Sequence, residues 1–412
     1  MKVLILSGRF GFGHKMAANA VREELERQDK NIEIVQKDLP EYFYPHISKL
    51  IYKVFGLVAE RCHGIYNLIY KISGRMNSGT RPGGPLIYRK FQKMMEEYMP
   101  DVIVCTHPFC MKAAATYKAK SDSRIPLVTC ITDISMHKEW YAKQTDLYLA
   151  PTKEVKDNLV SLGAAPENVM VTGVPVRQQF LKDADSDNHA YRADLYERDI
   201  DHGYEKHVLI MGGGLGIMPG LEKLLYTLHE MMGVHTTVIT GKNQRLYEMW
   251  EGRFDDVEMK GYVENIGKYM RNADLVITKA GGITLFELLH SKVPMFIIRP
   301  FLEQETVNAR YAEKKGFARV VWDSKEDFIG GLRALLNDPG QLEEMKACMH
   351  KAKCEMIDCE LSQAVWAIIE RGFEYLSAFE FVSSERSLFG KELPQLPVCS
   401  GWCETGISKA AV

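Results

Sequence analysis

Short apolar runs recur along this chain, with amphipathic stretches between them. In the first half they fall at residues 3–6, 32–36, 102–105, 127–131, 147–150 and 169–172, and in the second half at 208–211, 237–240, 257–259, 275–278 and 295–298. Runs this short, without polar alternation, read as strands buried on both faces, and strands separated by helices imply a parallel sheet. The pattern occurs twice. The chain is therefore expected to be α/β, with one unit over residues 1–180 and a second over 205–358. Residues 181–204 are polar and lack an apolar period, which places the connection there. From 361 to 379 the apolar residues return at helical spacing, which predicts a terminal helix within 359–384. Beyond it, Pro394, Pro397 and Gly401 stand in a stretch of little periodicity, and residues 385–412 are expected to be a largely unstructured tail.

The length of 412 residues exceeds one ordinary core and suits two of roughly 180 to 200 residues each. A hydrophobic content of 46% with 26% charged residues is that of a soluble globular protein and excludes a disordered or fibrous one. Met1 leads straight into a predicted strand, so no signal peptide is expected. The nine cysteines show neither CxxC nor histidine-rich spacing, which points to the cytoplasm, reduced thiols and no structural zinc.

The net charge of −2 hides an asymmetry. Between Lys49 and Lys93 nine basic residues, Lys71, Arg75, Arg81 and Arg89 among them, face one acid, Glu60, in a segment rich in large apolar side chains. No stretch in it reaches the 18 or so uncharged apolar residues of a membrane span. Two readings stay open: an interfacial helix on an anionic membrane surface, or a core-packed helical insertion whose charged face is solvated.

Candidate chemistry begins at two glycine-rich turns, each after an apolar run and each opening a predicted helix: GRFGFGHKMAANA from Gly8 and GGGLGIMPG from Gly212. Such a turn lets backbone approach a phosphate, and a helix starting near Pro219 would offer free N–H groups to the anion. His14 ends the first turn and has the ordinary pKa of a general base. TDISMHKEW follows the run at 127–131, so Asp133, His137 and Trp140 emerge at the carboxyl edge of the first sheet, where ligands sit. Asp133 either orients His14 or is itself the base. In TKAGGITLFE, Thr284 and Glu287 share a helix face, and in RPFLEQETVN, Gln304 and Asn308 stand four apart with amides suited to sugar hydroxyls. Tight packing, helix-dipole matching and simple capping are the plainer explanations of the same residues.

In this order, GFGHKMAANA, TDISMHKEW, GVPVR, GGGLG, TKAGGITLFE and QETVN resemble the diacylglycerol glycosyltransferases, which include the bacterial processive diacylglycerol glucosyltransferases and the plant monogalactosyldiacylglycerol synthases. The resemblance runs from Met1 to about Gly372 and implies a GT-B fold, two Rossmann-like domains with a cleft between them. It implies an inverting transfer of a hexose, glucose rather than galactose, from a UDP-sugar to the 3-hydroxyl of diacylglycerol, with no catalytic metal and no nucleic-acid partner. Carried over by position, Gly214 and Thr284 would contact the diphosphate, Glu287 the ribose hydroxyls, and Gln304, Glu305 and Asn308 the sugar. His14, then Asp133, would be the base. Gly13, His137 and Trp140 would lie on the acceptor side, and the basic segment would dock peripherally on the inner face of the cell membrane. Rival readings are a lipid II type transferase acting on a polyprenyl diphosphate, a UDP-N-acetylglucosamine 2-epimerase and a non-catalytic UDP-sugar sensor. Residues 385–412 match nothing in the family pattern.

Overall fold

The computed structural model describes residues 1–61 apart from 12, positions 64 and 67, 84–181 apart from 136 and 137, 205–323 apart from 214, 215, 217 and 219, 327–356, and 364. The expected connection at 181–204, the terminal helix and the tail lie almost wholly outside these residues.

The first unit carries strands β1 (Lys2–Ser7), β2 (Glu33–Asp38), β3 (Val102–Cys105), β4 (Leu127–Cys130), β5 (Leu147–Ala150) and β6 (Val169–Val171). They form one parallel sheet in the order β2-β1-β3-β4-β5-β6. Its helices are α1 (Gly13–Gln28), α2 (Leu39–Phe43), α3 (Ser48–Arg61), α4 (Gly84–Tyr98), α5 (Pro108–Ser121), α6 (Lys153–Ser161) and α7 (Gln178–Leu181). The second unit carries β7 (Lys206–Met211), β8 (Val234–Ile239), β9 (Val257–Lys260), β10 (Leu275–Thr278), β11 (Met295–Ile298) and β12 (Ala318–Val321), parallel in the order β12-β11-β10-β7-β8-β9. Here the helices are α8 (Leu221–His229), α9 (Gln244–Trp250), α10 (Ile266–Arg271), α11 (Gly282–Ser291), α12 (Glu303–Lys314), α13 (Phe328–Leu336) and α14 (Pro339–Met356).

Successive residues of β1 enter different cores, Leu4 and Leu6 on one face and Val3 and Ile5 on the other. In β7, Val208 and Ile210 pack on one face and Leu209 and Met211 on the other. Both sheets are thus buried on two sides, which is why their strands read as unbroken apolar runs. Three expectations change. β12 was not foreseen, because exposed Arg319 interrupts its short run at the sheet edge. β8 starts at Val234 rather than 237, since polar His235, Thr236 and Thr237 are buried there and Thr237 hydrogen-bonds His207 at 2.8 Å. α8 opens at Leu221, after Gly220 in the left-handed region (φ 76°), slightly later than the sequence suggested.

Each strand order reverses once, between β1 and β3 and again between β7 and β10. Reversal splays the two outgoing loops and opens a crevice at the carboxyl ends of the strands. The loops at Gly8–His14 and Thr106–His107 leave the first crevice, and those at Gly212 and Lys279–Gly281 leave the second. The units face each other there. Ala17 and Ile134 of the first unit share a core cluster with Ile283 and Phe286 of α11. Side-chain burial of this kind contributes about 1.5 to 3 kcal/mol for each large aliphatic residue.

Candidate active site

β1 delivers the glycine turn, and α1 begins at Gly13, so His14 stands in the helix's first turn beside the end of β3. Its Nδ1 lies 2.8 Å from the Thr106 carbonyl and 2.9 Å from Thr132 Oγ1. A carbonyl only accepts, so Nδ1 carries the proton and the Nε2 lone pair is left for chemistry. Thr106 Oγ1 in turn donates to the His14 carbonyl at 2.9 Å, fixing ring and backbone together. The His107 ring meets His14 edge-on at 4.6 Å, and Trp140, buried in the short turn Lys138–Trp140, lies 6.2 Å away. This crowding disfavours the imidazolium and lowers the His14 pKa to about 4, against the pull of the Thr106 hydrogen bond. His14 is therefore neutral at pH 7.

The partners that orient His14 are Thr106 and Thr132, so the reading in which Asp133 turns the imidazole is corrected. Asp133 points elsewhere, toward the start of α11. A Cβ added at Gly282 would sit 2.9 Å from Asp133 Oδ1 and 2.6 Å from the Thr132 carbonyl oxygen. The carboxyl group is only partly accessible, and desolvation raises its pKa to about 6. Gly13 also faces the second unit, since a Cβ there would lie 3.9 Å from Ile283 Cγ2.

On the facing side, β10 ends at Thr278 and Gly281 takes the N-cap position of α11 without a side-chain cap, so the free N–H groups of this helix open toward the crevice. Thr284 lies partly exposed in that first turn. One turn on, Glu287 is buried and accepts from Arg177 Nη2 at 3.3 Å, an ion pair between the units. Burial raises the Glu287 pKa to about 7 against the opposing pull of Arg177. In α12, Gln304 is partly exposed, whereas Glu305 is buried with its pKa raised by desolvation, opposed by Lys279 and a backbone hydrogen bond at Leu302. Asn308 is fully buried and its Nδ2 donates to the Ala280 carbonyl at 2.9 Å. Its Oδ1 has no partner among the described residues. The Asn308 bond ties α12 to the turn that starts α11.

Gly214, His137, Lys71, Arg75 and Arg81 lie outside the described residues. Arg89 is on α4 and exposed. α3 and the residue before it expose Ile47, Leu50, Ile51, Val54 and Leu57, at helical spacing, with Lys49 and Lys53 among them. The opposite side of α3 packs inward, where Tyr52 donates to Asp38 at 2.6 Å and the Phe10 ring meets Tyr52 and Phe55 at 5.1 and 5.2 Å. Phe10 also stacks on His107 at 5.0 Å, so α3 connects to the His14 turn through two rings.

Thr106, His107 and the Arg177 pairing were not foreseen. THP after the run at 102–105 carried a signal only for a reader who knew that β3 lies next to β1.

The family model described as monogalactosyldiacylglycerol synthase matches residues 14–176, and that of the glycosyltransferase family 28 C-terminal domain matches 208–358. The chain is 31% identical over 362 residues to a processive diacylglycerol beta-glucosyltransferase of Bacillus mycoides, covering 84% of this chain and 89% of that one. A protein of the same description from Bacillus pumilus is 30% identical over 365 residues, covering 84% and 90%. Among solved structures, MurG of Acinetobacter baumannii superposes with a TM-score of 0.56 over 90% of this chain and 98% of its own, at 16% identity, a likeness of fold. With two doubly wound sheets facing across a crevice and these matches over both, the chain belongs to the diacylglycerol glycosyltransferase family and is a glycosyltransferase of GT-B fold.

Proposed function

We propose that this UDP-sugar-dependent enzyme transfers glucose, in preference to galactose, to the 3-hydroxyl of 1,2-diacylglycerol with inversion at the anomeric carbon. The observation that carries the reading is the His14 imidazole, held through Nδ1 and neutral at pH 7, facing a crevice whose other wall is the N-terminus of α11. In the step proposed, the acceptor oxygen attacks the anomeric carbon from the face opposite UDP. The new C–O bond forms as the bond to the β-phosphate oxygen breaks, and that oxygen keeps the electron pair. The acceptor proton passes to Nε2 of His14, with Asp133 the second candidate.

Charge gathering on the departing diphosphate would be met by N–H groups at the starts of α8 and α11, with Thr284 and Gly214 beside them, and no metal is invoked. Glu287 would take the ribose hydroxyls, and Gln304, Glu305 and Asn308 the hexose. Trp140 and His137 would border the acceptor headgroup.

The acceptor resides in a bilayer, and the apolar stripe of α3 flanked by lysines supports docking on an anionic membrane surface. No helix among the described residues is long and apolar enough to cross a membrane. The deciding experiment incubates the purified protein with liposomes containing diacylglycerol and either UDP-glucose or UDP-galactose, then weighs the extracted lipids by mass spectrometry. A monohexosyl-diacylglycerol formed with UDP-glucose is expected, and longer products would reveal repeated transfer. Absence of glycolipid with both donors, while UDP still binds, overturns the reading in favour of a polyprenyl-diphosphate acceptor or a sensor.

A further inference from the structure

α12 carries Gln304, Glu305 and Asn308, yet it opens without a cap of its own. Its N-cap residue is Leu302, whose side chain offers no acceptor, so the first N–H groups of the helix need partners from elsewhere. One comes from the other unit. Asn67, in the basic aromatic segment, accepts from the Glu303 backbone N–H through Oδ1 at 3.0 Å and donates through Nδ2 to the Phe301 carbonyl at 2.9 Å. The two bonds bracket Leu302. An amide that accepts and donates in this way replaces a missing peptide neighbour, and asparagine is among the best residues for the task.

Other bonds hold the same turn from within the second unit. Arg299, just before it, has a positive φ of 41°, uncommon for a residue other than glycine. Thr306 Oγ1 returns to the Leu302 carbonyl at 3.1 Å, and Asn308 fixes the far side of the first helical turn to Ala280. Glu305, between these anchors, is buried and takes its backbone hydrogen bond at Leu302, the residue Asn67 brackets. Asn67, more than 230 residues earlier in the chain, is thus one of the anchors of the turn that carries Gln304 and Glu305.

We propose that Asn67 is a positioning residue for donor-sugar recognition: a helix cap supplied across the crevice, through which the acceptor-side unit completes the hexose end of the donor site. The inference rests on the assignment of Gln304, Glu305 and Asn308 to the sugar. It separates two parts of the donor. The uridine and ribose end, at Glu287, does not touch Asn67, whereas the hexose end depends on it.

The test compares binding of UDP and of UDP-glucose by titration calorimetry in the full chain, its Asn67→Ala variant and the isosteric Asn67→Asp variant, together with amide hydrogen exchange over residues 299–308. A cap of this kind is typically worth about a fivefold to tenfold factor, so Asn67→Ala should weaken UDP-glucose by that much and leave UDP within about twofold. Asn67→Asp, which keeps the acceptor for Glu303 but turns a lone pair on the Phe301 carbonyl, should lose at least as much at neutral pH. Exchange at Glu303 should quicken in Asn67→Ala, which removes its acceptor, and stay slow in Asn67→Asp, which keeps it. A purely structural role would instead weaken both ligands together with thermal stability. An unchanged UDP-glucose to UDP affinity ratio, or equal weakening of the two, overturns the proposal. Should the wild-type chain bind UDP-glucose no differently from UDP, the sugar assignment itself fails, and unchanged exchange at Glu303 would then dispose of the cap as well.

Discussion

At His14 the ring nitrogen that is already engaged decides what the residue can do. With Nδ1 on the Thr106 carbonyl, the neutral ring offers Nε2 as a base, and a pKa near 4 keeps it in that form throughout the neutral range. His14→Ala is expected to lower turnover by about two to four orders of magnitude while UDP affinity, measured by calorimetry, stays within about twofold. Wild-type turnover in that variant would remove His14 from the chemistry and leave Asp133. Glu287 has the opposite problem, a carboxylate buried beside one arginine. Its pKa of about 7 in the folded protein stands above the ordinary carboxylate value, so the folded state binds the proton more readily than the unfolded chain. Stability from this group is therefore lost as pH rises through about 7, whereas acceptance of two ribose hydroxyls improves as the carboxylate forms. UDP affinity should climb across that interval in the wild-type chain and stay level in Glu287→Gln. A level wild-type profile would place the ribose elsewhere.

At the scale of elements, the start of α11 and the loop after β4 meet so closely that only glycine fits between them. Alanine at 282 would bring its Cβ within 2.6 Å of the Thr132 carbonyl, a backbone atom that cannot swing aside. Overpacking of this kind costs about 1 to 3 kcal/mol or separates the elements. Because Thr132 also holds His14, Gly282→Ala should reduce turnover by about a hundredfold, the typical effect of an ångström-scale misplacement, with far less effect on UDP binding. Equal losses in both would show that the contact only supports the donor side. These elements also mark how far the sequence could be read. The buried strands were legible because burial on both faces leaves no polar alternation, and the glycine turns because positive φ at Gly11, Gly213, Gly216 and Gly220 admits few other residues. β12 was not, since one arginine at an edge breaks a four-residue run. The partners of His14 were not either: Thr106 and Thr132 lie 92 and 118 residues away, and only the sheet order brings them to one imidazole. The same holds for Arg177 and Glu287, 110 residues apart.

At the scale of the whole molecule, α3 is the helix that turns a stripe of large apolar side chains outward. Ile47, Leu50, Ile51, Val54 and Leu57 recur at helical spacing but face outward, while Tyr52 and Phe55, on the other side of α3, join Phe10 and through it His107. A helix that only covered its own core would have the reverse arrangement. The sequence left this segment between a membrane-facing and a core-packed reading because its composition serves both; the exposed stripe, a property of the folded chain, favours the first. A double substitution, Leu50→Glu with Val54→Glu, removes two apolar contacts and adds two like charges against an anionic surface, each basic or acidic group there being worth about 1 kcal/mol. Sedimentation with phosphatidylglycerol vesicles at low salt should fall by at least about tenfold, and turnover on vesicle-borne diacylglycerol should fall with it. Turnover on a short-chain diacylglycerol dispersed in detergent should be kept, because both side chains are exposed and the Tyr52 and Phe55 side of the helix is untouched. If vesicle binding survived the double substitution, the stripe would not be the docking surface, and the exposed basic residues around Arg89 would be the next to replace.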